Sequence, residues 1–309
     1  MEKTIKKIQE DLKYGLATAA RGYLKIGLDH YHKKLGYYEV FPQVLIGNLA
    51  ISVELMLKAF IASQKIDLLF KDLPLGLKAM LSAPSLFTVK DIRPLEIELR
   101  SSKYKTLELN ECISLFYIFF PEQKQNLGAH FRFLTSCRNT SLHSILPKFQ
   151  KYELDRTVYL SLNLFQILEK KNTFDLKKYV LTPEDKKFLT KFDSDRVERV
   201  EKAIASAREK AKKINEPDII SVSEWDVIDT TCPVCESTGL LFGDTVEGYN
   251  DPESGPMLLF IPDSFECKAC GLKLSDALEL ELAGMAKSYD RSRDIVSCFG
   301  DRDFGYDYY

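Results

Sequence analysis

The sequence predicts a mainly α-helical protein that ends in a small β-rich segment. Three observations carry that expectation. Apolar residues recur at three- and four-residue steps through roughly the first 170 residues. From Asp218 onward the apolar period changes to two. Two CxxC pairs fall within this second stretch. The expected organisation is a helical domain over 1–180, a charged helical connector over 181–217, a four-cysteine segment over 218–287 and a flexible tail over 288–309.

The helical elements follow from apolar spacing and from stop signals. Ile5, Ile8, Leu12, Leu16, Ala19, Tyr23 and Ile26 form one face of a long first helix, with Gly36 as its stop. A second helix, about Val44 to Gln64, contains VELMLKAFIA and is apolar nearly all round, which predicts a central position. Pro74, Pro84 and Pro94 mark a looser stretch with short helical turns. Further helices are expected at Leu107–Phe120, entered from Thr106, at Gln125–Leu142 and at Tyr152–Lys171, giving an up-and-down bundle with one irregular insertion.

Thr182-Pro183-Glu184-Asp185 is a helix-start signal. In the charged helix that follows, Val197, Val200, Ile204, Ala207, Ala211 and Ile214 form one stripe, ended by Glu216-Pro217. That stripe is too short for a coiled coil and reads as a connecting helix packed on its neighbours. Beyond it, Ile220, Val222, Trp225 to Ile228, Leu240–Phe242, Met257–Ile261 and the approach to Cys267 read as strands, with a turn at Gly248–Pro252. The closing SCFGDRDFGYDYY has no periodicity and reads as a mobile tail.

The net charge of −2 conceals a split: residues 1–180 carry +9 and residues 181–309 carry −11, with −14 from Glu216 onward. Either ordinary surface variation or attraction of a polyanion to the basic half accounts for it. No apolar run approaches the length of a membrane-spanning helix, and MEKTIKKIQEDLKYG lacks the apolar core of a secretory signal. A cytoplasmic protein without a membrane partner is therefore expected, and its paired cysteines read as metal ligands rather than disulfides.

The metal motif is Cys232-Pro233-Val234-Cys235, then 31 residues, then Cys267-Lys268-Ala269-Cys270-Gly271. A CxxC turn brings two thiolates to one ion, and two such turns complete a closed tetrahedral shell. A closed shell is structural rather than catalytic, and the segment holds few apolar residues to bury, so metal removal should unfold it locally. A redox CxxC is set aside because there are two pairs and neither has a thioredoxin-like strand–helix context. Phe265–Leu274 resembles the second knuckle of bacterial zinc ribbons, and Ser275–Gly284 resembles their closing helix. The resemblance implies structural Zn2+ on Cys232, Cys235, Cys267 and Cys270. The long spacing implies an extended hairpin near Gly248–Gly255. The acidity of this segment predicts a protein partner rather than nucleic acid, and one form of that expectation is restraint of the basic half.

The second motif is Cys137-Arg138-Asn139-Thr140-Ser141-Leu142-His143. Cleavage of RNA without metal needs a base for the 2′-hydroxyl, an acid for the leaving 5′-oxygen and a cation for the crowded phosphate. Histidine suits either proton role near neutral pH, and arginine grips two phosphate oxygens at once. Asn139 and His143 are four residues apart and share a helix face, so Asn139 is placed to fix the imidazole tautomer. Glu54 is a candidate to orient Arg138 or His143, but pairing with Lys58 one turn away is the preferred reading.

Over roughly residues 1–175 the chain resembles the HEPN superfamily of helical nucleases, whose ribonucleases carry Arg-x4–6-His with a polar residue after the arginine. Arg138, Asn139 and His143 match that pattern. Glu54–Ala59 resembles the second core helix of such domains. The resemblance implies a homodimer through the Arg138/His143 helix, with two motifs facing one groove, and products ending in a 2′,3′-cyclic phosphate and a 5′-hydroxyl. It further implies a toxin or anti-phage effector that cuts tRNA or other cellular RNA and needs no metal for catalysis. Some family toxins carry a tyrosine two residues after the histidine, where this chain has Ile145. The alternatives are a non-catalytic module that binds RNA or protein, and a subunit of a defence complex docked through its ribbon. His30 and His32 read as surface residues, His130 receives no role, and Cys112, Cys137 and Cys298 read as packing.

Overall fold

The computed structural model describes residues 2–32, 41–82, 104–143, 151–170, 181–214, 223–224, 226–248 and 257–291. Gly36, Pro84, Pro94, Ile220, Val222, Trp225, most of the Gly248–Gly255 turn, Cys298 and the tail from Ser292 lie outside them. The chain forms two compact units, one of Met1–Pro121 with His130–Phe192, the other of Glu122–Ala129 with Asp193–Tyr309.

The first unit is helical, as expected. Its elements are α1 (Glu2–His32), α2 (Phe41–Gln64), a 3-10 turn (Ile66–Leu69), α3 (Leu75–Ser82), α4 (Leu109–Phe119), α5 (Gln123–His143, from His130 onward), α6 (Lys151–Lys170) and α7 (Pro183–Ser194, up to Phe192). Two helix starts are secured reciprocally. Glu108, rather than Thr106, caps α4 in a box with Glu111. The Thr182 hydroxyl accepts from the Asp185 amide at 3.1 Å while the Asp185 carboxylate accepts from the Thr182 amide at 2.9 Å.

Helix α2 is central. Leu45, Ile46, Leu49, Met56, Leu57 and Phe60 are buried along one broad face, and Ala59, Ile61 and Ala62 widen it. The window Pro42–Gln64, with mean hydropathy 1.8, is long and apolar enough to cross a membrane. That corrects the expectation that no run reaches this length. In this structure 67% of the window is covered by protein. Phe60 meets Phe116 and Phe120 at ring separations of 6.3 and 5.3 Å, and Phe116 meets Phe131 at 6.0 Å.

The buried face of α1 differs from the expected stripe in its second half. Ile5 and Ile8 are buried as expected, but Ala19, Tyr23 and Ile26 are exposed and Ala17, Ala20, Leu24 and Leu28 are buried instead. The cause is close packing on α2. A Cβ on Gly27 would lie 2.7 Å from Leu49 Cδ2, and the Ser52 hydroxyl donates to the Ala20 carbonyl at 2.7 Å. Where the α1 backbone meets α2 side chains this closely, alanine and glycine share the contact with Leu24 and Leu28, and counting apolar residues without their size misplaces the face.

The second unit holds α8 (Arg196–Ala211), β1 (Ser223–Glu224), β2 (Val227–Thr231), β3 (Thr238–Gly248), β4 (Met257–Glu266), β5 (Lys273–Leu274), α9 (Ala277–Leu282) and β6 (Tyr289–Asp290). The sheet is antiparallel in the order β1-β2-β3-β4-β5, and β6 also pairs with β4. Tyr289 and Asp290, read from sequence as the start of the tail, thus belong to the sheet. The β3–β4 ladder runs from Leu240↔Glu266 to Gly248↔Met257, the extended hairpin that the 31-residue spacing implied. Helix α8 is more than a connector. Val200 and Ala207 sit in one core with Leu241, Phe260, Phe265, Leu272, Leu274 and Leu280, while Ala203, Ile204, Ala211 and Ile214 pack against it and Val197 is exposed.

Candidate functional site

The sheet itself brings the four cysteines together. Residues 232–237 turn β2 into β3, with Thr231 opposite Thr238. Residues 267–272 turn β4 into β5, with Glu266 opposite Lys273. Because β3 and β4 are antiparallel, the start of β3 lies beside the end of β4, so both turns occupy the same end of the sheet.

The two turns share one hydrogen-bond pattern. The Cys232 amide donates to the Ser237 carbonyl at 2.8 Å and the Glu236 amide to the Cys232 carbonyl at 3.1 Å. In the second turn the Cys267 amide donates to Leu272 and the Gly271 amide to Cys267, both at 2.8 Å. Each turn needs a left-handed residue after its second cysteine. Gly271 adopts φ 73° without steric cost, whereas Glu236 adopts φ 62° against one.

All four sulfurs lie within 4.8 Å of one another. The close pairs run between the turns, Cys232 to Cys270 at 3.7 Å and Cys235 to Cys267 at 3.6 Å. Four sulfurs about 2.3 Å from one ion would stand about 3.8 Å apart, so the donor set fits a tetrahedral metal ion. Cys232, Cys267 and Cys270 are buried and Cys235 is half-buried. Burial pushes the Cys232 thiol up to about 11, despite hydrogen bonds from the Val234 and Cys235 amides, and raises Cys270 as well. Burial acts the same way on Cys235, but hydrogen bonding from Ser237 and Cys267 outweighs it and brings that thiol down to about 7. A metal ion entering this cluster must displace protons.

In the helical unit, Arg138 lies on α5 and its guanidinium Nη2 meets Glu54 Oε2 on α2 at 2.8 Å. The other oxygen of Glu54 accepts from Lys58 Nζ at 2.7 Å, and Lys58 also donates to the Thr106 hydroxyl at 3.0 Å. The two pairings weighed for Glu54 therefore coexist. The Arg138 side chain is 29% exposed and that of Glu54 14% exposed. The backbones of Asn139 and His143 continue α5, while their side chains lie outside the described residues.

The remaining histidines and cysteines among the described residues lie elsewhere in the helical unit. His130 is buried, and its Nδ1 accepts from Arg156 Nε at 3.3 Å. His30 is half-buried and His32 exposed. Cys112 and Cys137 are buried, and burial holds the Cys112 thiol up at about 12, a packing residue rather than a nucleophile. The Thr106 contact to Lys58 had no signal in the sequence, since it depends on Thr106 bridging to Phe70 ahead of α4.

Fold and site thus define a mainly helical chain with a small antiparallel sheet whose four cysteines are able to hold a metal ion such as zinc. The chain matches no protein-family model, no curated protein and no solved structure.

Proposed function

We propose that this chain is a metal-independent endoribonuclease of the HEPN type that carries a structural zinc ribbon. The observation that carries the nuclease reading is the Arg138–Glu54 ion pair, which fixes a guanidinium on the same helix as Asn139 and His143. In this reading Arg138 neutralises the phosphate, His143 moves the proton at the 2′-hydroxyl or the leaving 5′-oxygen, and Asn139 holds its tautomer. One copy offers one such histidine, so a homodimer through α5 completes the acid–base pair. The substrate is tRNA or other cellular RNA, the setting the cytoplasm, and the biological role that of a toxin or anti-phage effector, on family analogy.

The ribbon takes Zn2+ on Cys232, Cys235, Cys267 and Cys270. The inter-turn sulfur distances support a closed four-thiolate shell, which serves folding rather than catalysis. Its acidic surroundings favour a protein partner.

The test is incubation of the purified chain with total tRNA in magnesium-free buffer, with and without brief EDTA, beside His143→Ala. Cleavage by the wild type alone, leaving cyclic-phosphate ends, supports the nuclease reading. Equal cleavage by both, or none, removes His143 from the chemistry. A second reading, a non-catalytic helical module that binds RNA or protein, is favoured by one observation: Glu54 already neutralises Arg138, as it would in a purely structural ion pair. Dimer mass with RNA binding but no cleavage would select it.

A further inference from the structure

We infer that Lys210 supplies an outer counter-charge to the four-cysteine centre, in addition to Lys268 of the second turn, and that α8 delivers it there. The inference rests on reading those cysteines as a metal centre. A divalent ion bound by four thiolates leaves two negative charges on the cluster, and the sequence around it is acidic already, at −14 from Glu216 onward. Outer groups that offset such charge tune metal affinity.

Lys210 lies against the second turn. Its Nζ stands 3.0 Å from where a Cβ on Gly271 would be, with Cδ and Cε at 3.8 and 4.0 Å. Gly271 directly follows the ligand Cys270. Glycine therefore serves two ends at this position: it adopts φ 73°, and it leaves space for the ammonium group.

The packing of α8 sets where Lys210 falls. Ala207 is buried and Ala211 half-buried against the core that contains Cys232, Cys267 and Cys270, so Lys210 sits at the edge of the packed stripe. At the opposite end of α8, Arg196 pairs with Asp276 at 3.4 Å and Arg199 with Glu279 at 3.6 Å. Both carboxylates are buried at the start of α9, where Asp276 caps the helix by accepting from the Glu279 amide at 2.8 Å. Charge and apolar contacts thus hold α8 in one register on the sheet. Two other lysines around the helix are paired elsewhere, Lys202 to Glu198 and Lys212 to Glu209. Among the described residues no carboxylate pairs with Lys210.

The test is zinc affinity of the full chain, measured by competition with a chromophoric chelator at neutral pH. Lys210→Met keeps the aliphatic stem and removes the charge, Lys210→Arg restores a charge, and Lys202→Met removes a charge from the same helix away from the turn. Lys210→Met is expected to bind zinc about tenfold more weakly than the wild type, with Lys210→Arg within about threefold of it and Lys202→Met unchanged. Because Lys210 is exposed, the deficit should shrink between about 0.05 M and about 1 M salt. Circular dichroism of the loaded variants should show wild-type helix content. Equal affinity of Lys210→Met and wild type overturns the inference and leaves the metal centre standing. So does an equal loss in Lys202→Met, or a loss that salt does not reduce. A wild-type chain that takes up no zinc overturns the centre and the inference together.

Discussion

Arg138 on α5 and Glu54 on α2 form an ion pair, Nη2 to Oε2 at 2.8 Å, that ties the Arg-Asn-x3-His helix to the central helix of its unit. Glu54 reaches Lys58 with its second oxygen at 2.7 Å, so one largely buried carboxylate holds two cations. Removing its charge would leave Arg138 and Lys58 without their common partner. Glu54→Gln should destabilise the helical unit by about 2 kcal/mol in urea unfolding. The double variant Glu54→Gln/Lys58→Met should lose less than the two single losses combined, since Lys58 then has no charge to leave unpaired. A fully additive cycle would remove the coupling.

Metal binding should release protons. Cys232 and Cys270 hold theirs at neutral pH, because burial raises both thiols, the first to about 11. Zinc titrated into the metal-free chain should therefore displace at least these two protons. Affinity should rise with pH and fall as acid competes for the sulfurs. Calorimetry in two buffers of different ionisation enthalpy reads the proton count, and a buffer-independent heat would contradict it. Cys267→Ser should lose the ion and the sheet's cooperative melting together.

Cys112 should resist alkylation in the native chain. Burial lifts its thiol from its usual value of 9 to about 12, so the thiolate is scarce at working pH. The sign for stability follows. The neutral thiol is favoured in the folded state below pH 9, and that contribution is lost as pH rises toward about 12. Labelling with iodoacetamide should reach Cys112 only on unfolding. Rapid native labelling would mean that this part of α4 opens readily.

Tyr31 donates to Asp155 at 2.6 Å and so ties the end of α1 to α6. Burial raises the phenol first, and the Asp155 carboxylate raises it further, so the hydroxyl stays protonated and keeps donating. Tyr31→Phe should cost about 1.5–3 kcal/mol, the range for a hydrogen bond to a charged group. Equal stability of the variant would show that water satisfies Asp155 as well.

Glu236 occupies the left-handed position that Gly271 fills in the matching turn, at φ 62°. Glu236→Gly should therefore stabilise the zinc-loaded second unit by about 0.5–1 kcal/mol, relief of backbone strain less the added freedom of the unfolded chain. A thermal melt of the loaded variant reads the sign. A lower midpoint would show that the Glu236 side chain contributes more than its backbone costs.

Much of this molecule was legible in its sequence because it is encoded locally. Helix spans followed from apolar period and from start signals such as Thr182–Asp185. The change of period after Asp218 marked the sheet. The four-cysteine cluster was legible because a CxxC turn is itself the local geometry that gathers two sulfurs. Less was legible around Arg138. The helix could be read, but the way Glu54 divides its oxygens between Lys58 and Arg138 depends on how α2 and α5 pack.

What the sequence by itself determined is therefore the element order, the central place of α2 and the identity of the four clustered cysteines. Only the tertiary structure decided which face of α1 is buried, since that depends on how closely the Gly27 backbone meets the Leu49 side chain. It alone placed α8 in the core of the second unit and Lys210 beside Gly271. Periodicity records that a stripe is apolar. Which surface covers that stripe, and which charge comes to rest beside it, is settled by shape and distance between segments far apart in the chain.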